Sequence, residues 1–201
     1  MSGIISENSA RHTGLVKASS GGGGVWNLIQ TLTASGSANL SFTTGIDSTY
    51  DEYVFKFINM HPATDDVTFN VNFRDGSTAY DATKTSTFFR AFHNESGVTA
   101  ALQYQATQDL AQSTSAQPLA NDLGNDNDQS CSGELFLYNP SSTTFAKHFM
   151  ANVELQNSNQ YSYILYTAGY CNVTAAIDGV QFAMSSGNID SGQISLYGIS
   201  W

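Results

Sequence analysis

Charge is what this sequence has least of. Of its 201 residues only 12% are Asp, Glu, Lys or Arg, with seven basic residues against seventeen acidic. Exposed helix faces normally carry Glu, Lys and Arg, so a polar surface built from Ser, Thr, Asn and Gln suits strands and hydrogen-bonding loops better than helices. The formal net charge of −10 and a pI near 4.4 argue against nucleic acid as a partner, because phosphate binding needs a basic face. No apolar run approaches the length of a bilayer span, and MSGIISENSARHTG has no continuous apolar core of a signal peptide. A soluble chain made in a cytosol, with no membrane partner, is expected. The Asn-x-Ser/Thr sequons at Asn39, Asn94 and Asn172 then carry little weight. Cysteine is scarce too. Cys131 and Cys171 could pair, but two isolated cysteines without CxxC spacing read first as buried free thiols, and neither reads as a metal ligand.

What the sequence does have is aromatic residues in alternation. From Tyr50 to Tyr80 it reads as two long strands joined by a polar turn. Val67, Phe69, Val71 and Phe73 alternate with Thr68, Asn70, Asn72 and Arg74, a period of two that separates an apolar from a polar face. In the preceding strand Tyr53, Phe55 and Phe57 share one side while Val54 and Ile58 make the other partly apolar, which predicts a central strand. His61 to Asp66 reads as the hairpin connection, with Pro62 breaking the ladder and Asp75-Gly76 turning the far end.

Similar signals run along the chain. Trp26, Leu28 and Leu32 share a face of a strand expected to break at Ala34–Ser37, and Leu40 and Phe42 begin another that Gly45 closes. Phe88, Arg90 and Phe92 stand opposite Phe89 and Ala91. Residues 94–132 are the least patterned, with a short strand at Leu102 and Tyr104, a helical turn over 106–112 and a polar loop over 121–128. Clear strands return at Gly133–Tyr138, at Phe149 to Leu155, at Tyr161 to Tyr166, at Val180 to Met184 and at Gln193–Ile199. About ten short strands with regular turn signals and no long helix predict an all-β antiparallel sandwich over residues 25–201, jelly-roll-like because two sheets then cover each other's apolar faces.

Residues 1–24 read differently. Ile4, Ile5, Leu15 and Val16 are scattered among small and polar residues, and Gly21–Gly24 form a flexible joint. Residues 1–20 hold two basic and one acidic residue, a net of +1, whereas the rest of the chain nets −11. A disordered tail is one reading. The preferred one is an extended arm that docks on a neighbouring subunit or particle through Ile4, Ile5, Leu15 and Val16, presenting Arg11, His12 and Lys17.

Chemistry is harder to find. No serine sits in a GxSxG elbow, and His12, His61, His93 and His148 have no metal-ligand spacing. His148 reads as a hydrogen-bonded sheet residue, and His61 with Asp65 and Asp66 as no more than a tempting cluster. Nothing pairs Glu52, Glu95, Glu134 and Glu154 as glycosidase carboxylates would be paired. Asp122, Asp126 and Asp128 could serve Ca²⁺ but lack EF-hand order, so a solvated loop is preferred. Neither an enzyme nor a bound cofactor is expected.

Three stretches together resemble small structural proteins of tailed bacteriophages, especially marine ones. They are Tyr53 through Pro62-Ala63-Thr64-Asp65-Asp66 to Asp75-Gly76; Gly133 to Tyr138 with Asn139-Pro140-Ser141-Ser142; and Gly179-Val180-Gln181-Phe182 through Ser186-Gly187-Asn188-Ile189 to Ile199. The opening Ser2-Gly3-Ile4-Ile5 also looks like the starts of such proteins. The resemblance implies a virion protein, assembled in the host cytoplasm and commonly homotrimeric, with capsid or tail proteins as partners and no catalytic residues to carry over. The short chain, without a fibrous shaft, fits a decoration protein or short tail appendage better than a complete tail fibre. A lectin-like module of a phage tail that binds a glycan receptor is the alternative, since exposed Tyr, Trp, Asn and Asp suit sugars.

Overall fold

The alternating segments become twelve antiparallel strands. The computed structural model describes residues 24–200, so Ile4, Ile5, Arg11, His12, Leu15, Val16 and Lys17 of the arm lie outside the described residues. In chain order the strands are β1 (Val25–Ser37), β2 (Leu40–Phe42), β3 (Glu52–Pro62), β4 (Val67–Arg74), β5 (Lys84–Asn94), β6 (Ala100–Tyr104), β7 (Gln117–Leu123), β8 (Cys131–Tyr138), β9 (Lys147–Gln156), β10 (Tyr161–Cys171), β11 (Gly179–Met184) and β12 (Ile189–Ser200). They form an eight-stranded sheet, β1-β12-β3-β8-β9-β10-β5-β6, packed on a four-stranded sheet, β2-β11-β4-β7. The first four positions of the large sheet, β1-β12-β3-β8, face the complete small sheet in the order of a jelly roll, two Greek keys wound from one long antiparallel ribbon. β5-β6 and β9-β10 are insertions into that ribbon, and both widen the large sheet. The sandwich expected from the alternation is therefore present, and it is all-β among the described residues.

The core lies between the sheets and is centred on aromatic rings. Phe182 of β11 stacks on Phe69 of β4 at 5.8 Å and 15°, and meets Phe55 and Phe57 of β3 at 5.5 and 6.2 Å. Phe57 and Phe69 meet edge to face at 5.4 Å, and all four rings are buried. Edge-to-face and offset contacts of this kind add to the burial of the rings themselves.

These contacts correct the hairpin reading. β3 and β4 do not pair: β3 lies between β12 and β8 in the large sheet, and β4 between β11 and β7 in the small one. The segment from His61 to Asp66 is a corner between layers, with Asp66 in the left-handed region at φ 56°. Alternation shows which face of a strand is apolar, but two strands facing each other across a core and two paired side by side have the same alternation. Pro62 still stands opposite Ile189 in register, at the last position of its strand, where a missing N–H is tolerated.

Four smaller expectations also change. β1 continues through Ala34–Ser37 without a break. A bulge between Leu28 and Gln30 in its pairing with β12 reverses the side-chain parity, so Trp26 and Leu28 face outward while Leu32 packs on the core. The loop expected over 121–128 begins as strand β7, whose Leu119, Ala120 and Leu123 are fully buried. Over 106–112 there is a short turn closed by Gln108 N–H donating to Gln105 O, and no helix.

Because Phe182 touches rings from both sheets, Phe182→Ala should lower stability by about 3–5 kcal/mol. Urea unfolding read by circular dichroism checks this; a loss below about 1 kcal/mol would mean that the seam is not the centre of the core.

Candidate functional site

The residues that sequence patterns single out for chemistry are dispersed. Nδ1 of His61 lies 2.7 Å from Gln129 O, away from Asp65, whose Oδ1 accepts from Asn125 N–H. His93 lies on the outer face of β5, and His148 lies exposed on the outer face of β9, 6.3 Å from the Tyr170 ring. Asp122 is in β7, where Arg90 Nη1 donates to its Oδ2 at 2.7 Å and Asn121 Nδ2 at 3.0 Å. It is therefore drawn away from Asp126 and Asp128 of the following loop. Among the described residues no group of three His, Cys, Asp or Glu is arranged to hold a metal ion.

Two concave regions stand out. The first opens where the β3–β12 ladder slips twice, with Asn59 at φ 51° and Gly192 at φ 117°. Gly192 is required there, since a Cβ would lie 2.5 Å from Asn59 O. The resulting cleft, about 440 Å³, is lined by His61, Asp128, Gln129 and Asp190 among others. The second is a shallow depression of about 320 Å³ on the outer face of the large sheet that brings Glu134 and Glu154 together with Asn152 and Lys56. These carboxylates are diagonal neighbours on β8 and β9. Lys56 Nζ holds Glu134 at 3.6 Å, and no cleft surrounds the pair, so water has free access where a glycosidase would enclose its substrate.

Sequence reasoning missed a buried row at the end of the sandwich. Cys171 of β10 stands in register between Lys84 of β5 and Lys147 of β9, all on the inner face and all with no exposed surface. The only signal was two lysines at strand starts on otherwise apolar faces. Lys84 Nζ donates to Asn72 Oδ1 at 2.5 Å and to Ala82 O at 2.7 Å. Lys147 Nζ donates to Val173 O at 3.1 Å and to Ala175 O. Desolvation brings the Lys84 ammonium down to about 8 against the pull of Asp81 and Asp75, and lowers Lys147 as well. Burial also pushes the Cys171 thiol up to about 12, outweighing both lysines, and raises Cys131. A thiol kept protonated and enclosed is a poor nucleophile. The row ties loop carbonyls to strand ends, and both cysteines are free and buried as expected.

The outer face of the large sheet is the other feature. Of the eleven large hydrophobic side chains that stand exposed among the described residues, eight belong to it: Trp26, Leu28, Ile58, Phe89, Leu102, Tyr104, Met150 and Tyr166. One register row runs Leu28, Tyr197, Val54, Phe136, Met150, Ala168 across six strands. The next runs Tyr104, Phe89, Tyr166, Asn152, Glu134, Lys56. Phe89 and Tyr166 stack at 5.1 Å and 18°, and Phe136 and Tyr138 at 6.3 Å and 10°. A sugar platform offers ring faces to its ligand; here each ring in these pairs turns one face to its neighbour.

Fold and surfaces together define a widened jelly-roll sandwich with most of its exposed large hydrophobic side chains, among the described residues, on one outer face. No protein-family model, no curated protein and no solved structure matches the chain.

Two measurements test the buried row. Neither cysteine should react with a thiol reagent in the folded protein, and both should react in denaturant; rapid labelling of either one without unfolding would contradict the enclosure. Lys84 has a folded pKa below its unfolded value, so the unfolded chain binds the extra proton between about pH 8 and 10.5, and this group's contribution to stability rises with pH across that window. The shift corresponds to about 3 kcal/mol at most. Subtracting the stability of Lys84→Met from that of the parent at each pH isolates it from the tyrosines and thiols. A flat difference would show that the ammonium is not desolvated.

Proposed function

We propose that the chain is a non-enzymatic structural protein of a bacteriophage virion, either a capsid decoration (cement) protein or a short tail or fibre appendage. The observation that carries this reading is the outer face. Monomeric soluble proteins rarely gather large exposed apolar side chains on one face, and here eight of the eleven among the described residues lie on it. The partners would be capsid or tail proteins and sister chains, the latter in the homotrimer that the family resemblance implies. The N-terminal arm, basic against an acidic body, would fasten the subunit through Ile4, Ile5, Leu15 and Val16 with Arg11, His12 and Lys17. The jelly roll adds support only by analogy, since the same architecture serves capsid proteins and lectins alike.

The lectin-like reading shares the fold and has Tyr104, Phe89 and Tyr166 beside Asn152 and Glu134 in its favour. The stacking of Phe89 on Tyr166 weighs against it.

Removing residues 1–24 should leave the circular dichroism spectrum and melting temperature of the remainder unchanged while eliminating it from purified particles, as counted by quantitative mass spectrometry. Normal incorporation of the truncated chain would sink the role of the arm, and absence of the full chain from virions would sink the whole reading. Saturable binding on a glycan array, lost in Tyr166→Ala, would decide for the lectin.

A further inference from the structure

The two sheets have four lateral edges, and three are blunted. β2 offers three residues. β7 carries Pro118, has Asp122 at φ 59°, pairs with shifted register and is bridged to Asn157 at Leu123. β6 is five residues long, and the chain after it runs back along β5, where Phe88 O accepts from Gln105 N–H, Leu110 O from Ser86 N–H and Ser113 O from Lys84 N–H. Short, bulged, Pro-bearing or covered edges are the usual means of preventing strand addition.

The fourth edge has almost none of these devices. β1 is thirteen residues long, pairs with β12 alone among the described residues, and contains no charged residue and no proline. After its bulge, Gln30–Ser35 pair with β12 without a slip, and Thr31, Thr33 and Ser35 are exposed on the outer side. We infer that β1 is an interface for a second copy of this chain, the two β1 strands pairing antiparallel across Gln30–Ser35 about a two-fold axis perpendicular to the sheet.

Electrostatics favours this occupant. Two bodies of this acidity repel across most approaches. The outward carboxylates nearest the middle of this edge are on β3 and beyond, two strands in from β1. In the paired arrangement β3 and its counterpart are five strand spacings apart, about 24 Å, well beyond the screening length of about 8 Å at physiological salt. Asp190 of β12 lies at one end of that strand, and antiparallel pairing places it far from its counterpart. A two-fold perpendicular to the sheet also keeps each outer face continuous with the next and gives every outward-pointing edge N–H and C=O along the run a partner. The contact is isologous and joins only two chains, so it is distinct from a three-fold association and stands whether or not the virion reading holds.

The test uses the full chain. Light scattering after gel filtration should give a mass that falls by half in Thr31→Lys/Thr33→Lys, with the melting temperature little changed, because two lysines on each edge face each other across the axis. Ser35→Lys provides the same readout more weakly if the double variant folds poorly. Hydrogen exchange should show the outward-facing amides of residues 30–35 protected in the parent and open in the variant. A parent that is monomeric at tens of micromolar, or a mass untouched by the lysines, overturns the inference. So does protection of these amides in a monomer, which would assign the edge to the chain's own N-terminal arm.

Discussion

Everything in this molecule depends on the aromatic seam that joins β3 to β4 and β11 across the layers. Phe55 and Phe57 descend from one sheet, Phe69 and Phe182 rise from the other, and Phe42 closes the group against Phe55 at 5.2 Å. Burying each such side chain is favourable by about 1.5–3 kcal/mol relative to exposure. The seam also fixes register. In any of its strands a slip of one residue would move every ring to the opposite face, so the arrangement is specified as strongly as it is stabilised. Tyr53 extends the same face of β3, and its buried hydroxyl is satisfied by donating to Asp47 O while accepting from Asp47 N–H.

The seam occupies only the width that four strands can cover. The large sheet is twice as wide, and the chain meets the mismatch differently on its two faces. Inside, the β9–β10–β5 flank keeps Phe88, Phe149, Val153, Leu155 and Leu165 in the core and adds placed polar groups: the Lys84-Cys171-Lys147 row at one end, and Arg90 between Asp122 and the Tyr163 ring, 4.5 Å from its centroid, further along. The two lysines take up backbone carbonyls of Ala82, Val173 and Ala175, and a buried carbonyl left without a partner costs more than the hydrogen bond itself returns. Outside, nothing in the described chain covers β9, β10, β5 and β6, and five of the eight exposed large hydrophobic side chains of the outer face, Met150, Tyr166, Phe89, Leu102 and Tyr104, stand on them beside the polar His148, Asn152 and Glu154. The insertions that widen the jelly roll therefore also carry most of the exposed apolar side chains of that face.

How much of this the sequence reveals depends on which interactions are periodic. Strands β4, β8, β9, β10, β11 and β12 were legible because their alternation is clean and their turns are marked by Gly, Asn and Pro. Even the facing of Phe88, Arg90 and Phe92 against Phe89 and Ala91 is as the period requires. Pairing was not legible, because alternation identifies a face and not a neighbour; hence β3 and β4 looked like a hairpin. The direction of Leu32 was lost to a bulge that no composition marks. β7 was hidden because Asn121 and Asp122 look like loop residues until Arg90, 32 residues earlier in sequence, is brought against Asp122. The buried lysines belong to the same class, since their acceptors are carbonyls that tertiary structure alone assembles.

The scarcity of charge that first marks this chain is also uneven in space. β1, β2, β6, β10 and β11 carry no charged residue at all. Where charges do occur on the outer face of the large sheet, one basic group, Lys56, sits against Glu134 while Glu52 and Glu154 remain unpaired by it. On such a surface the loops carry most of the acidic residues and the strands most of the exposed apolar side chains. Charge at the loops sets long-range repulsion, which keeps free chains apart. The uncharged strands set the short-range contacts, which take over only when two surfaces are brought into register. That separation of ranges is what the proposed role in assembly would need. A catalytic protein needs the opposite distribution, with its few charges drawn together in an enclosed site where low dielectric strengthens them.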